Sequence, residues 1–122
     1  MKKRTVVFYR TANGKCPVED FLASLPGKVA QKILWVLRLL EELEFIPASY
    51  FTKLPGTDEI WECRISFAAN SYRILCFVYG KSSIVLTHGF IKKTKKTPRN
   101  EIGRAETCKR DYKEREPSHE RP

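Results

Sequence analysis

The chain lacks the residues that several common classes of protein chemistry require. None of its four cysteines (Cys16, Cys63, Cys76 and Cys108) is paired at CxxC spacing, and His88 and His119 are its only histidines. A structural zinc site is therefore not expected. The sequence has no glycine-rich phosphate loop, no Ser/His/Asp constellation and no carboxylate cluster suited to a metal. We expect no metal and no cofactor. Any phosphoryl chemistry would have to use cations and local proton donors. No apolar run is long enough to span a membrane, and the basic start Met1-Lys2-Lys3-Arg4 leads into only a short one. Neither a signal peptide nor a membrane anchor is expected. Cys63 and Cys76 sit in apolar, strand-like runs and read as reduced thiols filling a core, which implies a cytoplasmic setting.

What the chain has in excess is positive charge. Its 122 residues carry 23 Lys and Arg against 14 Asp and Glu, a formal charge of +9. An excess of this size implies an acidic partner and says nothing about fold. The length suits one domain, and the 42% apolar content argues against disorder.

Thr5 to Tyr9 is β-branched and aromatic and reads as a strand. Asn13-Gly14 signals a turn, and Pro17 opens a short helix with Glu19 and Asp20 in its first turn. Pro26-Gly27 breaks it. A longer helix, about Lys28 to Glu44, repeats Val29, Ile33, Val36, Leu37, Leu40 and Leu43 at helical spacing. Three strands follow: Ile60 to Phe67, Tyr72 to Tyr79 and Ser83 to Ile91. The short turns Ala69-Asn70-Ser71 and Gly80-Lys81-Ser82 make them antiparallel neighbours. Pro98 to about Lys113 is helical. The expected fold is α+β: a small twisted antiparallel sheet with an N-terminal two-helix hairpin and a C-terminal helix, the helices on one sheet face. One domain spans residues 1–113, and the charged tail, 114–122, is expected to be disordered.

The strongest local signal is Lys92-Lys93-Thr94-Lys95-Lys96-Thr97-Pro98-Arg99, with five cations in eight residues. Phosphate binding explains such clustering through counterion release, and a solvated loop is the alternative. Arg64 and Arg73 interrupt neighbouring strands and can lie close together. They read either as a phosphate clamp or as part of a structural salt bridge with Glu62. Lys53, in the segment leading into the sheet, carries little information alone. His88 alternates with Ile84, Leu86 and Phe90, so it reads as a satisfied core or rim histidine, with acid–base chemistry as the alternative. Tyr112 could stack on a base or anchor the last helix.

Several pieces together resemble a known family. They are Phe8-Tyr9, Gly14 to Leu22, Ile60-Trp61-Glu62-Cys63-Arg64, Tyr72-Arg73-Ile74-Leu75 and, most specifically, His88 to Pro98. In this order, over about residues 5 to 113, they resemble the phage-derived HigB-like branch of the RelE/ParE toxin superfamily. The resemblance implies a RelE-like fold and the toxin of a type II toxin–antitoxin system. It implies a ribosome-dependent, metal-independent endoribonuclease that cuts mRNA and leaves a 2′,3′-cyclic phosphate. Its implied partners are the ribosome, mRNA and a HigA-like helix-turn-helix antitoxin that neutralises the toxin and represses the operon at operator DNA. Carried over, Arg73 and Arg64 match catalytic positions best; Lys53 or a lysine of the 92–96 run, crowded by other cations, is the candidate base, with His88 in reserve, so that Arg73, Arg64, Lys53 and His88 are the catalytic candidates. Lys92, Lys93, Lys95, Lys96, Arg99 and Tyr112 are the RNA-binding candidates. The competing reading is a non-catalytic ribosome- or nucleic-acid-binding module using the same cations. A DNA-binding regulator fits less well, because the early helix pair is too apolar to serve as a helix-turn-helix.

Overall fold

The central strand of the sheet sets the architecture. From Tyr72 to Phe77 every residue is buried, so both faces of the sheet must be covered. The computed structural model describes residues 2–115. In chain order its elements are β1 (Thr5–Phe8), α1 (Pro17–Ala23), α2 (Gly27–Glu42), β2 (Phe51–Lys53), β3 (Trp61–Phe67), β4 (Asn70–Tyr79), β5 (Ser83–Lys92) and α3 (Arg99–Arg115). The five strands form one sheet in the order β1-β5-β4-β3-β2.

Alternate side chains of the strands feed two cores. On one face Cys63, Ile65, Tyr72, Ile74, Cys76, Ile84 and Leu86 meet Val18 of α1 and the α2 stripe Val29, Ile33, Val36, Leu37 and Leu40. Burying each such aliphatic side chain is worth roughly 1.5–3 kcal/mol, which is why this stripe fixes α2 as a helix. On the other face Leu75, Phe77, Tyr79 and Val85 meet Ala105, Cys108 and Tyr112 of α3. The helices therefore occupy both faces, not one as the sequence suggested. The apolar residues on the far side of β4 require a second cover, and α3 supplies it.

Two further expectations are corrected. The sheet is mixed, because β1 pairs with β5 in parallel while the other pairs are antiparallel. The β3–β4 hairpin turns at Ala68-Ala69 rather than at residues 69–71, with Ala68 at φ 55°, in the left-handed region that tight hairpins favour. Helix α2 stops at Glu42, and the basic N-terminus takes carbonyls in its last turn and just beyond it. Arg4 donates from Nη1 to the Leu43 and Leu40 carbonyls (2.6 and 3.2 Å) and from Nη2 to that of Glu44 (2.9 Å). Helix α3 runs to Arg115, two residues beyond the expected domain end. The rest of the expected disordered tail, from residue 116, lies outside the described residues.

One residue resets the face of β5. Leu75 faces His88 and Cys76 faces Leu86, so Thr87 is the extra residue of a β-bulge. Its hydroxyl lies 3.0 Å from the Leu75 carbonyl. Ile84 and Leu86 face α1 and α2, whereas His88 and Phe90 face the α3 side; the unbroken alternation read from the sequence does not hold. The bulge also turns Gly89 toward α1, where a β-carbon would overlap the Phe21 ring. We expect Gly89→Val to destabilise the fold by roughly 1–3 kcal/mol in urea unfolding. Gly103→Ala in α3, where an added β-carbon meets nothing within 4 Å, should stabilise by about 0.5–1 kcal/mol.

Candidate nucleic-acid interface

Helix α3 covers only part of its sheet face. The alternation that sends Cys63 and Ile65 toward α2 sends Glu62 and Arg64 the other way, and Arg73 stands directly opposite Arg64 in the β3–β4 ladder. These charges share the face that α3 leaves open. Around them lies a cleft of about 680 Å³. One wall is Thr52 and Lys53 of β2 with the loop Leu54 to Thr57. The other is Lys92, Lys95, Lys96, Thr97 and the first turns of α3, with Arg99, Ile102, Gly103 and Glu106. Glu62 and Arg64 also line it. Six Lys or Arg against two Glu make the lining strongly cationic.

The β2 wall is tied to α3. The Thr57 hydroxyl donates to the Leu54 carbonyl (2.8 Å) and accepts from the Ile60 amide (3.1 Å). Glu106 accepts from the Asp58 amide (3.0 Å), and buried Lys109 donates to the Asp58 carbonyl (2.7 Å). Lys53, exposed on β2, lies 3.8 Å from Glu59.

Two guanidinium groups opposite each other on one sheet face repel. Glu62, only 2% exposed, answers both: its Oε1 lies 3.4 Å from the Nε of Arg64 and 3.4 Å from the Nε of Arg73. Its other oxygen accepts the Thr97 hydroxyl. Arg73 is 7% exposed, donates from Nη1 to the Tyr72 carbonyl (3.1 Å), and does not line the cleft. Burial holds its pKa below the ordinary value, with Glu62 opposing and Arg64 reinforcing the shift. Lys92 is half-buried at the end of β5. Its ammonium is also held below the ordinary lysine value, chiefly by burial, then by the Arg73 and Arg64 charges, against the pull of Glu62.

The structure thus gathers Lys53, Arg64, Lys92, Lys95, Lys96 and Arg99 around one cleft, with Arg73 behind Glu62. Lys93 is exposed outside the lining. Tyr112 is buried edge-on against Phe77 and Tyr79, as an anchor of α3 rather than a surface for bases. His88 is 1% exposed beneath α3, with Nε2 2.9 Å from Glu101 Oε1 and Nδ1 3.1 Å from Thr87 Oγ1. The residue that sequence reasoning passed over is Glu62, treated there only as a possible salt-bridge partner. The signal was available: strand alternation puts Glu62 on the same face as Arg64. All four cysteines are free and buried, and burial raises the Cys63 thiol to about 12, far from reactive at neutral pH. Among the described residues, no three His, Cys, Asp or Glu side chains converge as a metal site.

Residues 20–110 match the family model described as phage derived protein Gp49-like (DUF891). The chain belongs to this family. It is a family of RelE/HigB-type toxins of toxin–antitoxin systems, which suggests an antitoxin partner. No curated protein matches the chain. No helix among the described residues is long and apolar enough to cross a membrane.

His88 gives a pH signature to the fold of this family member. Burial, and the Arg104 charge after it, lower its pKa from the ordinary 6.5, while Glu101 pulls the other way. The unfolded chain then takes up the proton at a higher pH than the folded one. The contribution of His88 is complete above about pH 6.5 and is lost as pH falls below it. We expect the urea midpoint to drop between pH 7 and pH 5, and His88→Gln to flatten that drop.

Proposed function

We propose that this protein is a toxin of the HigB-like branch with a RelE-like fold, acting in the cytoplasm as a ribosome-dependent, metal-independent mRNA endoribonuclease. The observation that carries the reading is the cationic cleft in which Arg64 and half-buried Lys92 stand beside the Glu62–Arg73 pair. A phosphodiester laid along such a lining meets a guanidinium whose planar fork matches its oxygens. Lys92 is the lysine of the run placed to give up its proton, since burial and two neighbouring arginines disfavour its charge.

In the proposed reaction Lys92 Nζ takes the proton of the ribose 2′-OH. The 2′-oxygen attacks the adjacent phosphorus, and the bond from phosphorus to the 5′-oxygen breaks, leaving a 2′,3′-cyclic phosphate. The departing 5′-oxygen takes a proton from an ammonium of the same cleft, Lys95 or Lys96. Arg64 meets the negative charge that builds on the phosphoryl oxygens, and Arg73 reinforces the local field from behind. Lys53 and Arg99 grip the backbone on the two walls. The cleft lining contains no aromatic residue, so base stacking is left to the ribosome. The antitoxin in this reading is a HigA-like helix-turn-helix protein that represses the operon at operator DNA together with the toxin.

A non-catalytic ribosome- or nucleic-acid-binding module is the second reading. The burial and ion pairing of Arg73 favour it, because they make that guanidinium part of the fold. Induced expression with mapping of mRNA 5′ ends separates the two readings. The enzyme reading expects translation-dependent cuts and arrested growth; continued growth without such cuts removes it. Within it, Lys92→Arg keeps the charge but removes the base, so cleavage should fall roughly 10²–10⁴-fold with RNA binding retained. The wild-type rate should climb with pH as Lys92 loses its proton, and the variant should lose that rise. Arg64→Ala should cost about 10²–10³-fold in kcat.

A further inference from the structure

The basic loop between β5 and α3 has a problem of its own. Lys93, Lys95 and Lys96 are exposed, and Lys95 and Lys96 share the cleft lining with Lys92 and Arg64, whose like charges repel them. Nothing apolar in residues 93–97 can dock the loop, and the Thr94 hydroxyl closes only a local turn by donating to the Lys96 carbonyl (2.6 Å). Among the described residues, the one hydrogen bond from residues 93–98 to the sheet runs from the Thr97 hydroxyl to Glu62 Oε2. The other oxygen of that carboxylate is the one facing Arg64 and Arg73.

A carboxylate this buried is tolerated only when it is paired. Glu62 is paired three ways, and its partners stand in different places in and behind the cleft. Arg64 is its floor, Arg73 lies beneath, and Thr97 is the joint between the cationic run and α3. The two arginine contacts, at 3.4 Å, are ion pairs rather than close hydrogen bonds, and Arg73 Nε is buried without a hydrogen-bond partner. Both guanidinium groups are thus aligned by charge, while the loop is held by a directed bond.

We propose that Glu62 is a positioning residue for the cleft, whose single carboxylate sets the arginine pair on the sheet and latches the cationic loop over it through Thr97. The proposal rests on the ribonuclease reading for its kinetic consequence, but not for its structural one. A phosphate reaching the cleft finds the lysines of the loop and Arg64 already arranged, so their mutual repulsion is overcome on folding rather than on binding.

The test uses the full-length protein and two kinds of variant. Thr97→Val keeps the carboxylate and removes the latch, and Thr97→Ser restores the hydroxyl. Limited trypsin digestion of the free protein reads the loop at Lys93, Lys95 and Lys96. We expect Thr97→Val to speed cleavage there roughly tenfold or more, as loss of a charge-assisted hydrogen bond allows, and Thr97→Ser to return it to the wild-type rate. In translation-dependent mRNA cleavage, Thr97→Val should lower kcat/KM about tenfold, again with recovery in Thr97→Ser. Glu62→Gln, where it folds, can still accept the Thr97 hydroxyl but no longer aligns the arginines. It should lower kcat while KM for RNA stays level or falls, because the cleft gains net positive charge. Wild-type trypsin resistance in Thr97→Val overturns the proposal. So does a KM that rises in Glu62→Gln in step with a falling kcat. If the loop loosens as expected but the wild type cuts no RNA, the ribonuclease reading fails and the positioning role stands.

Discussion

A strand buried on both sides leaves little room for charge, and β4 is such a strand. From Tyr72 to Phe77 its neighbours are α1 and α2 on one side and α3 on the other, and Arg73 is its single charged residue. A guanidinium there must be compensated locally, and Glu62 on the next strand does it. That one ion pair organises the open part of the sheet face. It draws Arg64 into the same cluster, brings Thr97 down onto the sheet, and lets a cationic cleft form where α3 ends its cover. The cluster of charge is therefore a product of the core, not an addition to its surface.

Much of the fold was legible because it is local. The α2 stripe, the alternation of β3 and the helix start at Pro17 come from spacing alone, since 3.6- and 2-residue periods are properties of short windows. What the sequence did not disclose depends on distant partners. The parallel pairing of β1 with β5 joins residues about 80 positions apart, and no local pattern encodes direction. β2 is three residues long and is a strand only because β3 lies beside it. The bulge at Thr87 shifts the phase of β5 by one residue, which is enough to move His88 from the expected face to the opposite one.

The candidate site shows the same division. Its cations were visible in composition, but their roles were not, because charge counts carry no depth. The run from Lys92 to Arg99 is divided among three structural settings: a strand end, an exposed loop and a helix start. Only part of it faces the cleft. Of the arginine pair read as a phosphate clamp or a salt bridge, Arg64 is on the lining and Arg73 is not, buried against Glu62. Tyr112 belongs to the aromatic cluster with Phe77 and Tyr79, which a C-terminal helix pattern alone could not reveal. Several cations elsewhere serve the fold itself, as Arg4 does on the carbonyls around the end of α2 and Lys109 on the Asp58 loop.

The parallel edge has a consequence for when the molecule becomes competent. β1 is made first but has no sheet partner until β5 exists, and the cleft has only one wall until α3 follows. During synthesis the N-terminal half can form its helix pair early, yet the surface that would meet a phosphate chain cannot assemble until nearly the last described residue has emerged. A nascent or truncated copy carries most of the positive charge without the arrangement that gives it purpose. For a protein of a toxin family, the order of construction thus leaves the cationic cleft among the last features to be completed.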